Sequence, residues 1–230
     1  MKDVLGNALW DYYHQATPQK LWIHNQYGPK EEMPVAIYFR TAADMPELEW
    51  LALQQCRGAV LDIGAGAGSH ALWLQEKGVA VTALEQSPKA AAVLQLRGVK
   101  NVVQQNIFDY SGERYDTLLL LMNGIGLCGT LQGLRHFLQL AKGLLKEGGQ
   151  LLFDSSDVAY LYNGRPPKGP DYYGEIDYQY QYKKQKTDWF KWLYVDAQTL
   201  LKIATTAGWT MQVLYEDGQD QYLVRLTLPA

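Results

Sequence analysis

A chain of 230 residues, 47% apolar and 20% charged, is long enough for one α/β domain with added elements and a sizeable core. Its formal charge of −3 lacks the basic excess that nucleic-acid binding would require. Its two cysteines, Cys56 and Cys128, are too few for a disulfide framework and lack metal-ligand spacing, which leaves only a single bridge between them open.

The N-terminal stretch MKDVLGNALWDYYHQ holds no apolar run suited to a signal peptide. The longest apolar run, Thr117–Met122, is too short to span a bilayer, so a cytoplasmic location without membrane contact is expected. Residues 1–57 read as mixed helix and loop. Within them Pro46–Cys56 is a helix, with proline in its first turn, acids early and Arg57-Gly58 as its stop.

Strands and helices then alternate. Ala59–Ile63 is predicted as a short apolar strand and Ser69–Lys77 as a helix closed by Gly78. Val79–Leu84 is the second strand; Ser87 and Pro88 open the next helix as cap and first residue, and Gly98 ends it. Val99–Gln105 is the third strand. Tyr115–Met122 is the fourth, apolar as a central parallel strand should be. Thr130 caps a long helix to Lys146, and Gln150–Asp154 is the fifth strand. Such alternation argues for a parallel sheet covered on both faces.

The pattern changes after Asp157. Tyr162–Gly174 reads as loop. Glu175–Lys183 alternates strictly, with Ile176, Tyr178, Tyr180 and Tyr182 on one face. Asp188–Val195 is its expected antiparallel partner across the polar turn KQKT. Asp196 caps a helix to Ala207, and Trp209–Leu228 closes as a hairpin around Asp217-Gly218.

The chemistry concentrates in VLDIGAGAGSHALWL, Val60–Leu74. A glycine-rich turn at a strand end lets a ligand approach the backbone, with a helix N-terminus behind it. A phosphate-binding P-loop needs GxxxxGK[ST], but after Gly64 no lysine precedes Lys77. A dinucleotide turn needs GxGxxG, whereas Gly64, Gly66 and Gly68 put the third glycine one position early. Asp62 stands just before the turn, where the ligand arrives. A carboxylate there repels a pyrophosphate and suits a ligand that brings positive charge. Glu85, 21 residues after Gly64, is placed to accept both ribose hydroxyls of an adenosyl ligand. Taken singly, the glycines would serve any strand–helix turn that needs positive φ, and Glu85 a solvated strand end.

This stretch resembles the first motif of the class I S-adenosylmethionine-dependent methyltransferases, an acidic residue followed by xGxGxG. The resemblance spans Ala59–Asp154 together with the closing helix and hairpin. It implies a three-layer, Rossmann-like α/β sheet, mostly parallel, whose final strand is antiparallel and inserted. An N-terminal helical segment and an inserted aromatic β-hairpin are additions to that plan. The implied division is an N-terminal cap over residues 1–57 and a methyltransferase domain over 58–230, with a substrate-side insertion at about 158–195.

The resemblance also implies S-adenosyl-L-methionine as cofactor and S-adenosyl-L-homocysteine as product. Asp62 would orient the ammonium, Gly64, Ala65 and Gly66 would contact the cofactor through backbone, and Gly68 would allow close packing. Glu85 would hold the ribose and Gln86 would lie beside the adenine. Asn106 would bond the adenine amino group, where the family often has Asp, and Ile107 would pack on its face. Met122 and Asn123, at the end of the fourth strand, complete the expected cofactor set.

Methyl transfer from a sulfonium needs alignment more than a dedicated base. His14, His24, His70 and His136 are scattered, with His70 read as a surface residue, and no catalytic residue or metal site is assigned. Tyr12, Arg40, Asp154 and Tyr173 are the acceptor-side candidates. The nucleic-acid signature [DN]PP[YF] is missing after the fourth strand, where NGIG stands, so a small-molecule acceptor is expected. Two other readings stay open: an NAD(P)-dependent oxidoreductase, and a non-catalytic protein that binds S-adenosylmethionine. The oligomeric state is not legible.

Overall fold

The computed structural model describes residues 2–15, 19–163, 165–167, 169 and 171–229. In chain order its elements begin with α1 (Val4–Tyr13), β1 (Leu21–Asn25), β2 (Glu31–Met33), α2 (Glu47–Gln55), β3 (Val60–Ile63) and α3 (Ser69–Glu76). There follow β4 (Val81–Glu85), α4 (Pro88–Leu96), β5 (Val102–Gln104), β6 (Tyr115–Leu120), α5 (Leu131–Leu144) and β7 (Leu145–Ser156). The chain ends with β8 (Glu175–Tyr182), β9 (Gln185–Lys186), β10 (Phe190–Leu193), α6 (Ala197–Thr206), β11 (Thr210–Glu216) and β12 (Gln221–Thr227).

The fold is mixed α/β, with a central, mostly parallel sheet and flanking helices. Contacts group the chain into two units. The first is Met1–Met45, Leu61–Tyr110 and Asp177–Phe190; the second is Pro46–Val60, Ser111–Ile176 and Lys191–Ala230.

In the first unit β4 and β5 run parallel, with Glu85 opposite Gln104. Ser87 caps α4 by accepting from the Ala90 N–H at 3.0 Å, and Pro88 supplies the first helical residue. In the second unit the strand order is β11-β12-β7-β6. Strands β6 and β7 are parallel, while β12 is antiparallel to both β7 and β11. The final strand is therefore antiparallel and inserted. Leu118, Leu119 and Leu120 of β6 are fully buried, as a run of leucines in a covered strand must be. Helix α5 buries Leu134, Phe137, Leu138, Ala141 and Leu144, a stripe at helical spacing.

Several expectations change, among them the fifth strand, which begins at Leu145 instead of Gln150. The fourth strand stops at Leu120 instead of Met122, because Met122 and Asn123 take left-handed backbone with φ of 60° and 56°. The N-terminal segment is not only helix and loop: β1 pairs antiparallel with both β2 and β8, bringing Leu21 opposite Tyr182 and Ile23 opposite Tyr180. The aromatic strand β8 is thus part of a second sheet, in which it pairs β1 and β9 and β1 pairs β2. The chain reverses sooner than expected, at Lys183, so that Gln185 already faces Tyr182.

Helix α1 joins two buried clusters in the first unit. Val4 and Ala8 pack with Leu21 and Tyr182, and Leu9 packs with Ala67, Ala90 and Val93. No disulfide joins Cys56 and Cys128. Of the loop expected over residues 162–174, Gly164, Lys168 and Pro170 lie outside the described residues. No helix among the described residues is long and apolar enough to cross a membrane.

Candidate functional site

In the first unit the glycine-rich turn leaves β3 and enters α3. The N–H groups of Gly64 and Ala65 donate to the Leu84 carbonyl at 2.8 and 3.2 Å. Two of its glycines serve different ends. Gly64 has φ of +75°, and a methyl built on it would meet nothing within 4 Å among the described residues. Gly68 has φ of +91°, and a methyl there would lie 2.6 Å from Leu94 Cδ2 and 3.2 Å from Val99 Cγ2. Open space beside Gly64 lets a ligand reach the backbone, whereas Gly68 lets α4 close onto the turn.

Asp62 is 2% exposed. Burial pushes its carboxyl up to about 6, against the opposing influence of His70 and the Ala71 N–H. Among the described residues its Oδ2 has no hydrogen-bond partner. A buried, unpartnered carboxylate oxygen costs free energy that a cationic ligand would recover. His70 is 7% exposed, which corrects its reading as a surface residue: the first turn of α3 folds inward beside Asp62.

Glu85 ties the end of β4 to the turn. Its Oε2 accepts from the Gly66 N–H at 2.9 Å and its Oε1 from the Ser87 N–H at 2.9 Å. Burial nonetheless raises its pKa. Asn106 caps the short turn Ile107–Asp109, its Oδ1 accepting from the Phe108 N–H at 2.9 Å. Its Nδ2 donates to Gln86 Oε1 at 3.4 Å, and Ile107 beside it is buried. The amide oxygen keeps a second lone pair. Tyr12 and Arg40 are in the same unit. The Tyr12 ring is exposed and lies 4.7 Å from Phe39, and Arg40 follows the short helix Val35–Phe39.

Met122, Asn123, Asp154 and Tyr173 lie in the second unit. The Asn123 N–H donates to both carboxylate oxygens of Asp154, at 3.0 and 2.9 Å. The Asn123 side-chain amide is buried, and among the described residues neither its oxygen nor its nitrogen has a partner. Asp154 is 0% exposed, also accepts from Gln221 Nε2 at 3.0 Å, and is pushed up to about 6 by burial. It presents no surface to a ligand; it fixes the left-handed backbone at Asn123. Tyr173 donates to Asp157 Oδ1 at 2.7 Å, and its ring lies 4.6 Å from that of Tyr172. Beyond the end of β7 a cavity of about 740 Å³ is lined by Asp157, Tyr173, Asp196, Lys202 and Tyr222 among others.

Sequence reasoning missed Tyr38, whose ring packs on Gly66. No motif marks it, because a lone tyrosine far upstream of the turn carries no local signal.

The family profile described as "Methyltransferase domain" matches residues 38–213. The chain is similar to the crystal structure of an S-adenosylmethionine-dependent methyltransferase from Bacteroides fragilis in complex with S-adenosyl-L-homocysteine. Identity is 41% and the TM-score 0.92, with 100% of this chain and 96% of that chain covered. A S-adenosylmethionine-dependent methyltransferase from Clostridium acetobutylicum shares 13% identity at a TM-score of 0.61, over 82% of this chain and 94% of that one. The glycopeptide N-methyltransferase MtfA shares 17% identity at 0.57, over 80% and 86%. These two show likeness of fold alone. A search of curated proteins found no match.

Proposed function

Because the chain belongs to the S-adenosylmethionine-dependent methyltransferases of the class I Rossmann-like fold, we propose that it transfers a methyl group to a small-molecule acceptor by in-line displacement. The nicotinamide alternative falls with family membership. The cofactor, when bound, would supply a methyl already activated on a sulfonium, with a neutral thioether as leaving group and a lone pair of the acceptor as the receiving site.

The residues present fit that cofactor, and the observation that carries the fit is the buried, unpartnered Oδ2 of Asp62 beside the open approach at Gly64. In this reading Asp62 holds the ammonium, and the backbone of Gly64, Ala65 and Gly66 encloses the amino-acid tail. Glu85 takes the ribose hydroxyls. Gln86, Asn106 and Ile107 surround the adenine. The enzyme's own contribution is alignment and exclusion of water, with no dedicated base required. Support for a small acceptor comes from the formal charge of −3 and from the cavity of about 740 Å³ that includes Tyr173, which is of small-ligand size. The N-terminal segment and the insertion at about 158–195 would then carry acceptor choice.

The Asp62 assignment carries a pH dependence. In the ligand-free protein Asp62 titrates at about 6, and a cationic group favours its ionised form. Binding therefore releases a proton below that pH. The affinity for S-adenosylhomocysteine is expected to be roughly tenfold weaker at pH 5 than at pH 7, levelling above 7. Calorimetric titration across that range checks it, and an affinity independent of pH would contradict the assignment. For the ligand-free fold the sign is opposite. A carboxyl with a raised pKa binds its proton more tightly folded than unfolded, so this group's contribution to stability declines as pH rises from 3.8 toward about 6.

The orphaned amide of Asn123 gives a second test. Asn123→Gly keeps the left-handed backbone and removes the amide. The melting temperature of the free protein should hold or rise, because an unsatisfied buried group is lost. Affinity for S-adenosylhomocysteine should fall about tenfold, as expected for one lost hydrogen bond to a ligand. Wild-type affinity would remove Asn123 from the proposed cofactor set.

A further inference from the structure

Resting on the reading of the glycine turn as the cofactor's seat, we propose that Tyr38 is a positioning residue of that seat, its ring holding Gly66 in place for cofactor binding. A methyl built on Gly66 would lie 3.2 Å from Tyr38 Cδ1 and 3.8 Å from Cε1. The ring thus covers the face of the turn that any side chain at position 66 would need. Gly66 has φ of +58°, and its N–H points at Glu85 Oε2, the carboxylate assigned to the ribose. Removing the ring would free Gly66 to swing away from Glu85 and open the turn.

The segment around Tyr38 is tied to Ser69 and Ala67 of the turn. The Tyr38 carbonyl accepts from Ser69 Oγ at 2.8 Å, at the first residue of α3. Arg97 Nη1 donates to the Ala67 carbonyl while its guanidinium stacks 5.0 Å from the Phe39 ring. Tyr38 and Phe39 both pack against the buried cluster of Leu9, Ala67, Ala90 and Val93, which includes Ala67 of the turn itself. The N-terminal segment is therefore built into the turn and does not merely lie over it.

The ring, and not the hydroxyl, carries the role. Among the described residues the Tyr38 hydroxyl donates to Met33 Sδ, at 3.2 Å, and a thioether is a weak acceptor. Burial and the nearby Glu85 carboxylate push the phenol up to about 12, so it stays neutral at physiological pH. Phenylalanine should therefore substitute for it.

Calorimetric titration of the full chain with S-adenosylhomocysteine tests this, comparing wild type with Tyr38→Phe and Tyr38→Ala below their melting temperatures. Tyr38→Phe should bind within about threefold of wild type, and Tyr38→Ala at least about tenfold more weakly, the scale on which groups supporting a binding site act. Should Tyr38→Ala fail to fold, Tyr38→Leu keeps apolar bulk without a flat ring over Gly66, and a loss of about fivefold or more is expected there. A Tyr38→Ala or Tyr38→Leu protein with wild-type affinity overturns the proposal. So does Tyr38→Phe binding as weakly as Tyr38→Ala, because that would move the role to the hydroxyl. Wild-type protein that does not bind S-adenosylhomocysteine would instead sink the underlying assignment of the turn.

Discussion

Asp62→Asn is expected to weaken S-adenosylhomocysteine binding by about a hundredfold or more, while leaving the ligand-free fold intact. Two effects compete at this position. Holding a carboxylate at 2% exposure with one oxygen unpartnered costs the free protein stability, as its pKa of about 6 records. Binding a cation returns that cost with a gain. A charge pair at about 4 Å in a medium of effective dielectric about 20 is worth about 4 kcal/mol, against about 1.4 kcal/mol per factor of ten in affinity. The amide of asparagine keeps the shape and the Ala71 contact but not the charge. Its ligand-free melting temperature should equal or exceed that of wild type. Calorimetry with thermal melts reads both sides. Wild-type affinity in Asp62→Asn would show that the ammonium is held elsewhere.

The second large effect separates two glycines of the same turn. Gly68→Ala is expected to destabilise the fold by roughly 3 kcal/mol, combining left-handed strain of about 1–2 kcal/mol with overpacking of about 1–3 kcal/mol. The overpacking arises because Leu94 Cδ2 stands 2.6 Å from the added methyl, on a helix packed against the turn. For a chain of this length the melting temperature should drop by about 6–12 °C. Gly64→Ala meets nothing within 4 Å, so only strain of about 1–2 kcal/mol opposes it. Its methyl instead projects into the approach assigned to the cofactor. Gly64→Ala should therefore lose S-adenosylhomocysteine affinity with a modest thermal shift, whereas Gly68→Ala should lose stability first. Equal melting shifts, or full affinity in Gly64→Ala, would contradict this division.

Most of the fold was legible where the signal is local. Ser87-Pro88 announces the start of α4, and Gly78 and Gly98 mark the ends of α3 and α4, each with a positive φ. The leucines of β6 announce a covered strand. What stayed hidden is non-local. Strand β1 has five residues with no clear alternation, and it is a strand because β8, far along the chain, offers an edge to Leu21–Asn25. The inward turn of His70 and the covering of Gly66 by Tyr38 likewise depend on what packs beside them. At Asn123 the run of leucines pointed to a strand end, but not to the two left-handed residues or to the buried Asp154 carboxylate that holds them. In the candidate site the glycine spacing leaves room for a ligand at the backbone without saying which ligand. The carboxylates are informative because charge constrains the ligand's chemistry. The acceptor is least legible, since aromatic and acidic residues in a loop-rich insertion serve packing and recognition alike.

The central claim is methyl transfer to a small molecule. The direct measurement is incubation of the protein with methyl-labelled S-adenosylmethionine and a pool of low-mass metabolites, separating low-mass products from macromolecules. The account predicts label in a low-mass product, formed by wild type and lost in Asp62→Asn. Tight cofactor binding with no labelled product, or label only in protein or nucleic acid, would contradict it.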